Sequence, residues 1–125
     1  MPETTIWFYR EGGRAPALRW LASVDARTER RTKAALSRLV RFGHELRRPN
    51  ADLLRDGIHE LRFRVGHLNH RLIYFFYEGI AVVISHHLIK QQSRVPELEI
   101  QQGLLHRARV LASPETSLQE NPDGY

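Results

Sequence analysis

The sequence predicts one α+β domain. An N-terminal helical hairpin packs on a small, twisted, mostly antiparallel sheet, and a C-terminal helix follows. Three observations predict it. Apolar residues recur at helical spacing between Ala15 and Gly43. Three alternating apolar runs separated by glycine turns lie between Glu60 and Leu88. The length of 125 residues, 42% of them hydrophobic, suits a single core.

The elements follow in order. Thr4 to Arg10 (TTIWFYR) is β-branched and aromatic, hence a strand, broken by Glu11-Gly12-Gly13. Ala15 to Leu21 forms a short helix with Leu18 and Leu21 on one side. Asp25 is placed to cap a longer helix. There Leu36, Leu39 and Val40 follow i, i+3, i+4 spacing, Arg30, Arg31, Lys33, Arg38 and Arg41 take other positions, and Gly43 makes the C-terminal stop. The two helices read as an antiparallel hairpin. His44 to Asp56, with Pro49 and Asn50, reads as a connecting loop ending in the Asp56-Gly57 turn signal.

Strands are expected at about Glu60–Val65, His70–Tyr77 and Ile80–Leu88. Gly66 to Asn69 forms one turn and Glu78-Gly79 the other. Pro96 suits the first position of a last helix, with Ile100, Leu104, Ala108 and Leu111 as its apolar stripe. Gly103 weakens that helix by roughly 1 kcal/mol relative to Ala. The domain is expected to span 1–112. The polar, proline-broken stretch 113–125 is expected to be a disordered tail.

Composition narrows the function. Without cysteine there are no disulfides, zinc ribbons or thiol catalysis. No apolar run approaches membrane-spanning length. The start MPETTIWFYREGG lacks the basic and apolar regions of a signal peptide, so a cytoplasmic protein without membrane association is expected. The formal net charge is +5, and 17 of the 19 cationic side chains are Arg; only Lys33 and Lys90 are Lys. Arginine favours planar, bidentate contact with phosphate. Arginine-rich codon usage accounts for part of the Arg/Lys ratio but not for the net charge.

The cations concentrate on the central strands. If Glu78-Gly79 closes a two-residue hairpin, Phe75 faces Val82, Ile73 faces Ile84 and Arg71 faces His86. If residues 66–69 form a four-residue loop, Arg64 faces Arg71 and Arg62 faces Ile73. Alternation then places Arg62, Arg64, Arg71 and His86 on one face. Leu61, Phe63, Val65, Leu72, Tyr74, Phe76 and Val83 take the other, which seats the helices. Facing arginines repel unless an anion sits between them. Glu60, on the face of Arg62, is an internal candidate for part of that role. The alternatives are a bound phosphate and a solvated arginine face.

These residues carry a family resemblance. Gly57-Ile58-His59-Glu60-Leu61-Arg62 resembles the G-(L/I)-x-E-L-R of the RelE/ParE superfamily of type II toxin–antitoxin toxins, most closely its HigB-like, phage-derived branch. His70-Arg71-Leu72-Ile73-Tyr74-Phe75-Phe76 is similar to Y-R-(I/L)-(L/V)-Y-F-F. His87-Leu88-Ile89-Lys90, with Pro96 and Glu99-Ile100, resembles H-x-F-x-K-K…P-x-x-E-I. The resemblance covers roughly 36–112. It implies the RelE/ParE-like fold and a metal-independent, ribosome-dependent mRNA endonuclease that inhibits translation. It also implies a cognate antitoxin, a HigA-like helix-turn-helix protein, as partner, with mRNA and the ribosome as targets. Relatives place basic residues nine and seven positions before the strand arginine, and Arg62 and Arg64 stand at those offsets from Arg71. The chain departs at Gln91, where a second lysine is usual, at Leu88 for Phe, and at His59 for an aromatic residue. Near the start of the last helix it lacks a tyrosine; the only later one is Tyr125.

Metal-free RNA cleavage needs an aligned 2′-oxygen, a base, positive charge on the phosphorane and an acid for the leaving oxygen. Arg62, Arg64 and Arg71 suit the charge role but do not titrate. Lys90 adds charge or proton transfer. His86 is the proton-transfer candidate on the basic face, whereas His87 points to the core. Arg94 is a peripheral phosphate contact. No metal or cofactor is expected, since the histidines lack ligand spacing and no phosphate-binding glycine loop is present. Two other readings stand beside the nuclease. One is a non-enzymatic ParE-like gyrase inhibitor, favoured by Gln91 and the missing tyrosine. The other is a catalytically weakened, phage-derived RNA binder.

Overall fold

The computed structural model describes residues 3–122. In chain order the elements are β1 (Thr5–Tyr9), α1 (Pro16–Ser23), α2 (Ala26–Phe42), β2 (Ala51–Arg55), β3 (Ile58–Val65), β4 (Leu68–Tyr77), β5 (Ala81–Ile89), α3 (Glu97–Ala112), α4 (Pro114–Ser117) and β6 (Leu118–Glu120). The strands form one open sheet in the order β2-β3-β4-β5-β1-β6. Only the β1–β5 pair is parallel.

The α+β class and the antiparallel meander are as the sequence predicts. The helices, however, do not come first: β1 precedes them and sits inside the sheet, between β5 and β6. Nor do they act as a hairpin packed on itself. α1 lies over β5 and β1, while α2 lies over β3. α3 covers the opposite face, against β3, β4 and β5. Two cores result. Leu36 and Leu39 of α2 meet Leu61, Phe63, Leu72 and Tyr74 on one face. Ile100 and Val110 of α3 meet Ile58, Ile73, Phe75 and Val83 on the other. β4 is therefore buried on both sides from His70 to Phe75, which explains its near-continuous apolar run.

Local chemistry sets the boundaries. The Asp25 side chain accepts from the Thr28 N–H at 2.8 Å, the expected N-cap. Gly43 ends α2 at φ 51°, its N–H bonded to the Leu39 carbonyl. Asp56 and Gly57, at φ 52° and 81°, close a two-residue hairpin between β2 and β3. The turn signal was thus legible, but the strand before it was not. Ala51–Arg55 is short and lies at the sheet edge, and its five residues carry no clean alternation.

The disordered tail expected from Ser113 is also corrected for the described part. α4 packs against α3 and β6 pairs with β1, Tyr9 with Leu118 and Trp7 with Glu120. Arg10 holds this segment through the carbonyls of Glu115 and Thr116 and the Gln119 side chain. Those backbone and side-chain bonds offset the polarity that suggested disorder. Residues 123–125, with Tyr125, lie outside the described part.

The stripe of α3 is rotated from its expected position. Ile100, Gly103, His106 and Val110 are buried, and Leu111 is 66% exposed. Pro96 is the N-cap, not the first helical residue. Gly103 is a contact point: a Cβ there would stand 3.0 Å from Ile73 Cγ2 and 3.2 Å from Ile58 Cγ2. Its absence lets the helix approach the sheet closely.

Candidate nucleic-acid interface

The registers of β3, β4 and β5 decide which cations meet. Gly66-His67 is a two-residue turn, so Val65 pairs with Leu68, Arg64 with Asn69, and Arg62 with Arg71. The facing arginines are therefore Arg62 and Arg71, not Arg64 and Arg71. The parity is unchanged, and Arg62, Arg64 and Arg71 share a face as expected. On the other side the β4–β5 turn has three residues, and Ser85 is extra at a bulge. Arg71 consequently pairs with Leu88, and His86 with Ile73. Val83 moves to the α3 face, opposite to its expected side.

Arg71 and Arg62 have different fates. Arg71 is 4% exposed and Glu60 5%. The Arg71 Nε lies in a buried ion pair with Glu60 Oε1, and Nη1 donates to the His70 carbonyl at 2.9 Å. Burial pushes the Arg71 guanidinium below its ordinary pKa; Glu60 opposes this and Arg62 reinforces it. Glu60 thus supplies, from within the chain, the anion that the arginine pair requires. Arg62 remains without such a carboxylate. Its Nε is buried and makes no hydrogen bond, and the same holds for Arg38 Nε.

Those two unpartnered groups belong to one groove of about 310 Å³. β2 begins at Ala51, opposite Leu61, and the last bond to β3 runs from the Arg62 N–H to the Asn50 carbonyl at 2.8 Å, so β3 from Phe63 onward is a free edge. The groove wraps round this edge. Arg31 and Arg38 descend from α2, while Arg62, Arg64 and Arg71 rise from the sheet, with Asn50 and Asn69 between them. Arg64 is exposed and donates from Nε to the Gly66 carbonyl at 3.0 Å. Several cations with little compensating acid around one concavity make a built anion site.

The other sequence candidates lie apart from this groove. Lys90 directly follows β5, its N–H bonded to the Asn69 carbonyl at 2.8 Å, so it stands beside the groove rather than in its lining. Arg94 is exposed on the loop before α3 and does not line the groove. His86 shares the sheet face but is buried beneath α3.

A family model described as "Phage derived protein Gp49-like (DUF891)" matches residues 19–104. The chain belongs to that family. The family is generally associated with RelE-like toxins of toxin–antitoxin pairs. No match is found among curated proteins. In this Gp49-like chain the matched span contains every residue of the groove.

His86 belongs to a closed polar chain. Its Nε2 lies 2.9 Å from Glu99 Oε1, and its Nδ1 lies 2.8 Å from Ser85 Oγ. Ser85 Oγ is also 2.6 Å from His106 Nδ1, and His106 Nε2 is 2.6 Å from Gln102 Nε2. One proton order satisfies all five groups. Gln102 donates to His106, His106 to Ser85, Ser85 to His86, and His86 to Glu99. Both imidazoles are then neutral. Burial pushes His86 below its ordinary pKa, against the pull of Glu99, and pushes His106 down to about 3. His86 is thereby tied into the fold. His87 faces the other side, stacked on Trp20 at 3.6 Å, with Nε2 2.9 Å from His70 Nδ1.

The sequence reading missed Arg31, Arg38, Asn50 and Asn69 as groove residues. One signal was available: Arg31, Ala34 and Arg38 stand at i, i+3 and i+7, on one stripe of α2 with a small residue at its centre. Among the described residues no helix is long and apolar enough to cross a membrane.

Proposed function

We propose that this Gp49-like chain is the toxin of a type II toxin–antitoxin pair, of the HigB-like kind, and that it acts by gripping mRNA on the ribosome. The observation that carries the reading is the groove where α2 and the free edge of β3 meet. There Arg31, Arg38, Arg62 and Arg64 line one concavity, and among the described residues none of them is ion-paired to a carboxylate. An RNA phosphate pairs with guanidiniums so gathered and offsets the repulsion between them. Arg62, Arg64, Arg31 and Arg38 are the phosphate contacts. Arg71 acts behind them, holding Glu60 and shaping the floor. A HigA-like helix-turn-helix antitoxin in the cytoplasm is the partner such a toxin requires.

Cleavage of the bound mRNA is the activity the family resemblance implies. In that reaction Arg62 and Arg64 stabilise the phosphorane, and Lys90 contributes charge or a proton from beside the groove. One observation favours binding without cutting. The groove is lined by Arg, Asn, Pro, Ala and Phe, none of which exchanges a proton near neutral pH. His86 is committed to Ser85 and Glu99.

The test is induced expression of wild type, Arg38→Ala and Arg62→Ala, followed by mapping of transcript ends. New ends within translated codons, lost in both variants, establish the nuclease. Growth arrest without new ends, lost in the same variants, supports the RNA binder. Arrest that survives both variants and accompanies inhibited supercoiling in vitro transfers the reading to gyrase.

A further inference from the structure

A second cavity, of about 500 Å³, lies where the C-terminal end of α2 meets β2 and β3. Its walls are aromatic. His59 stacks on Tyr74 with centroids 5.1 Å apart and an 18° interplanar angle, and stands edge-on to Phe76. His44 stacks on Phe76 at 3.6 Å, its Nε2 fixed by the Gly79 carbonyl at 2.9 Å.

The polar groups here are built and unused. Tyr74 is 1% exposed and lines the cavity, yet its hydroxyl makes no hydrogen bond within the described residues. The ring is buried, but the hydroxyl keeps some accessible surface and is open to a partner in the cavity. The ring of His59 likewise makes stacking contacts and no hydrogen bond. Burial, helped by His44 and Arg47, holds His59 below its ordinary pKa, so it presents one donor and one acceptor. Arg47 at the rim is anchored through Nη1 to the carbonyls of His44 and Leu46. Among the described residues its Nε and Nη2 make no hydrogen bond.

The cavity adjoins the arginine groove. Pro49 and Asn50 line the groove, whereas Arg47 and Asp52 line the cavity. The segment 47–52 is a shared wall. We infer that this cavity is a nucleobase subsite, taking one splayed-out base, guanine by preference, of an RNA strand whose phosphates lie in the arginine groove. Flat rings on several sides match a π-face. The free edge of Arg47 matches the paired O6 and N7 acceptors of guanine; cytosine also pairs two acceptors, O2 and N3, but its single ring offers less stacking surface. Tyr74 and His59 supply the remaining donors and acceptors at the closed end.

The inference rests on the RNA reading for its biological sense, but its test does not. Free nucleosides carry no phosphate, so they bypass the groove. Guanosine, adenosine, cytidine and uridine are titrated separately into the full-length protein, with the ring resonances of His59 and Tyr74 followed by NMR. Guanosine is expected to shift both and to bind about tenfold more tightly than cytidine or uridine. Arg47→Gln, at an exposed position, should remove the preference, and Tyr74→Phe should weaken binding with the rest of the spectrum unchanged. Arg38→Ala and Arg62→Ala should leave guanosine binding intact. No shift with any nucleoside, equal binding of all four, or shifts indifferent to Arg47 and Tyr74 would overturn the subsite. Guanosine binding by a protein that ignores RNA would keep the subsite and remove the RNA reading.

Discussion

The groove at the edge of β3 and the polar layer beneath α3 both withdraw polar side chains from water but are finished differently. Beneath α3, Glu99, His86, Ser85, His106 and Gln102 form a line in which each donor meets an acceptor. At the β3 edge, Arg38 and Arg62 have buried Nε groups with neither a hydrogen bond nor an ion pair among the described residues. Polar groups completed from within hold the fold; those left incomplete await something from outside. Arg71 lies on the border between the two. It opens toward the groove, yet Glu60 completes it.

The comparison breaks most visibly at that border. Glu60→Ala leaves the Arg71 guanidinium buried without its carboxylate and should cost about 3–5 kcal/mol of stability, read by chemical denaturation. If the midpoint is unchanged, Arg71 belongs with the free cations after all. Ser85→Ala tests the completed layer. It strands ring nitrogens of His86 and His106 and should cost about 1–3 kcal/mol.

Acid tests that layer through His106 and the opposite sheet face through His87. His106 and His87 are each held at about 3, against an ordinary value of 6.5. Below about pH 6.5 the unfolded chain therefore binds protons that the native state refuses. Stability should fall with decreasing pH, level off below about 3, and be unaffected by these groups above 6.5. The limiting slope is about 1.4 kcal/mol per pH unit for each histidine. In His106→Gln, denaturation across pH 4–7 should show its share of the slope gone; an unchanged slope would mean that His106 is not the titrating group.

The smallest effect on stability is expected in the groove. Arg38→Ala and Arg62→Ala remove no internal partner and should shift stability by less than about 0.5 kcal/mol. Each should lower RNA affinity and reduce the salt dependence of binding by close to one ion. A large loss of stability with unchanged RNA binding would reverse the assignment of the two regions.

What the sequence revealed follows physical range. Asp25, Gly43 and the Gly66 and Glu78-Gly79 turns act within a few residues, and each lies where its chemistry predicts. The shared face of Arg62, Arg64 and Arg71 survived an error in turn length because the error was an even number of residues. Val83 did not survive, because the three-residue turn shifts parity until the Ser85 bulge restores it. The pairing of β1 with β5 and of β6 with β1 leaves little local trace. The same holds for the approach of Arg38 to Arg62, which depends on how α2 crosses β3. Glu60 was visible as a neutraliser, but the choice of Arg71 over Arg62 depends on burial depth.

The position of β1 has a kinetic consequence. It precedes the other described strands in the chain, yet its neighbours are β5 and β6, the last two of them. Its hydrogen-bond partners therefore emerge only after most of the chain has been made. Until then Ile6 and Phe8, both buried in the finished protein, have nowhere to go. Pairings that close long loops slow folding. The arginine groove, assembled from α2, β3 and β4, lies wholly inside the interval that β1 must wait through.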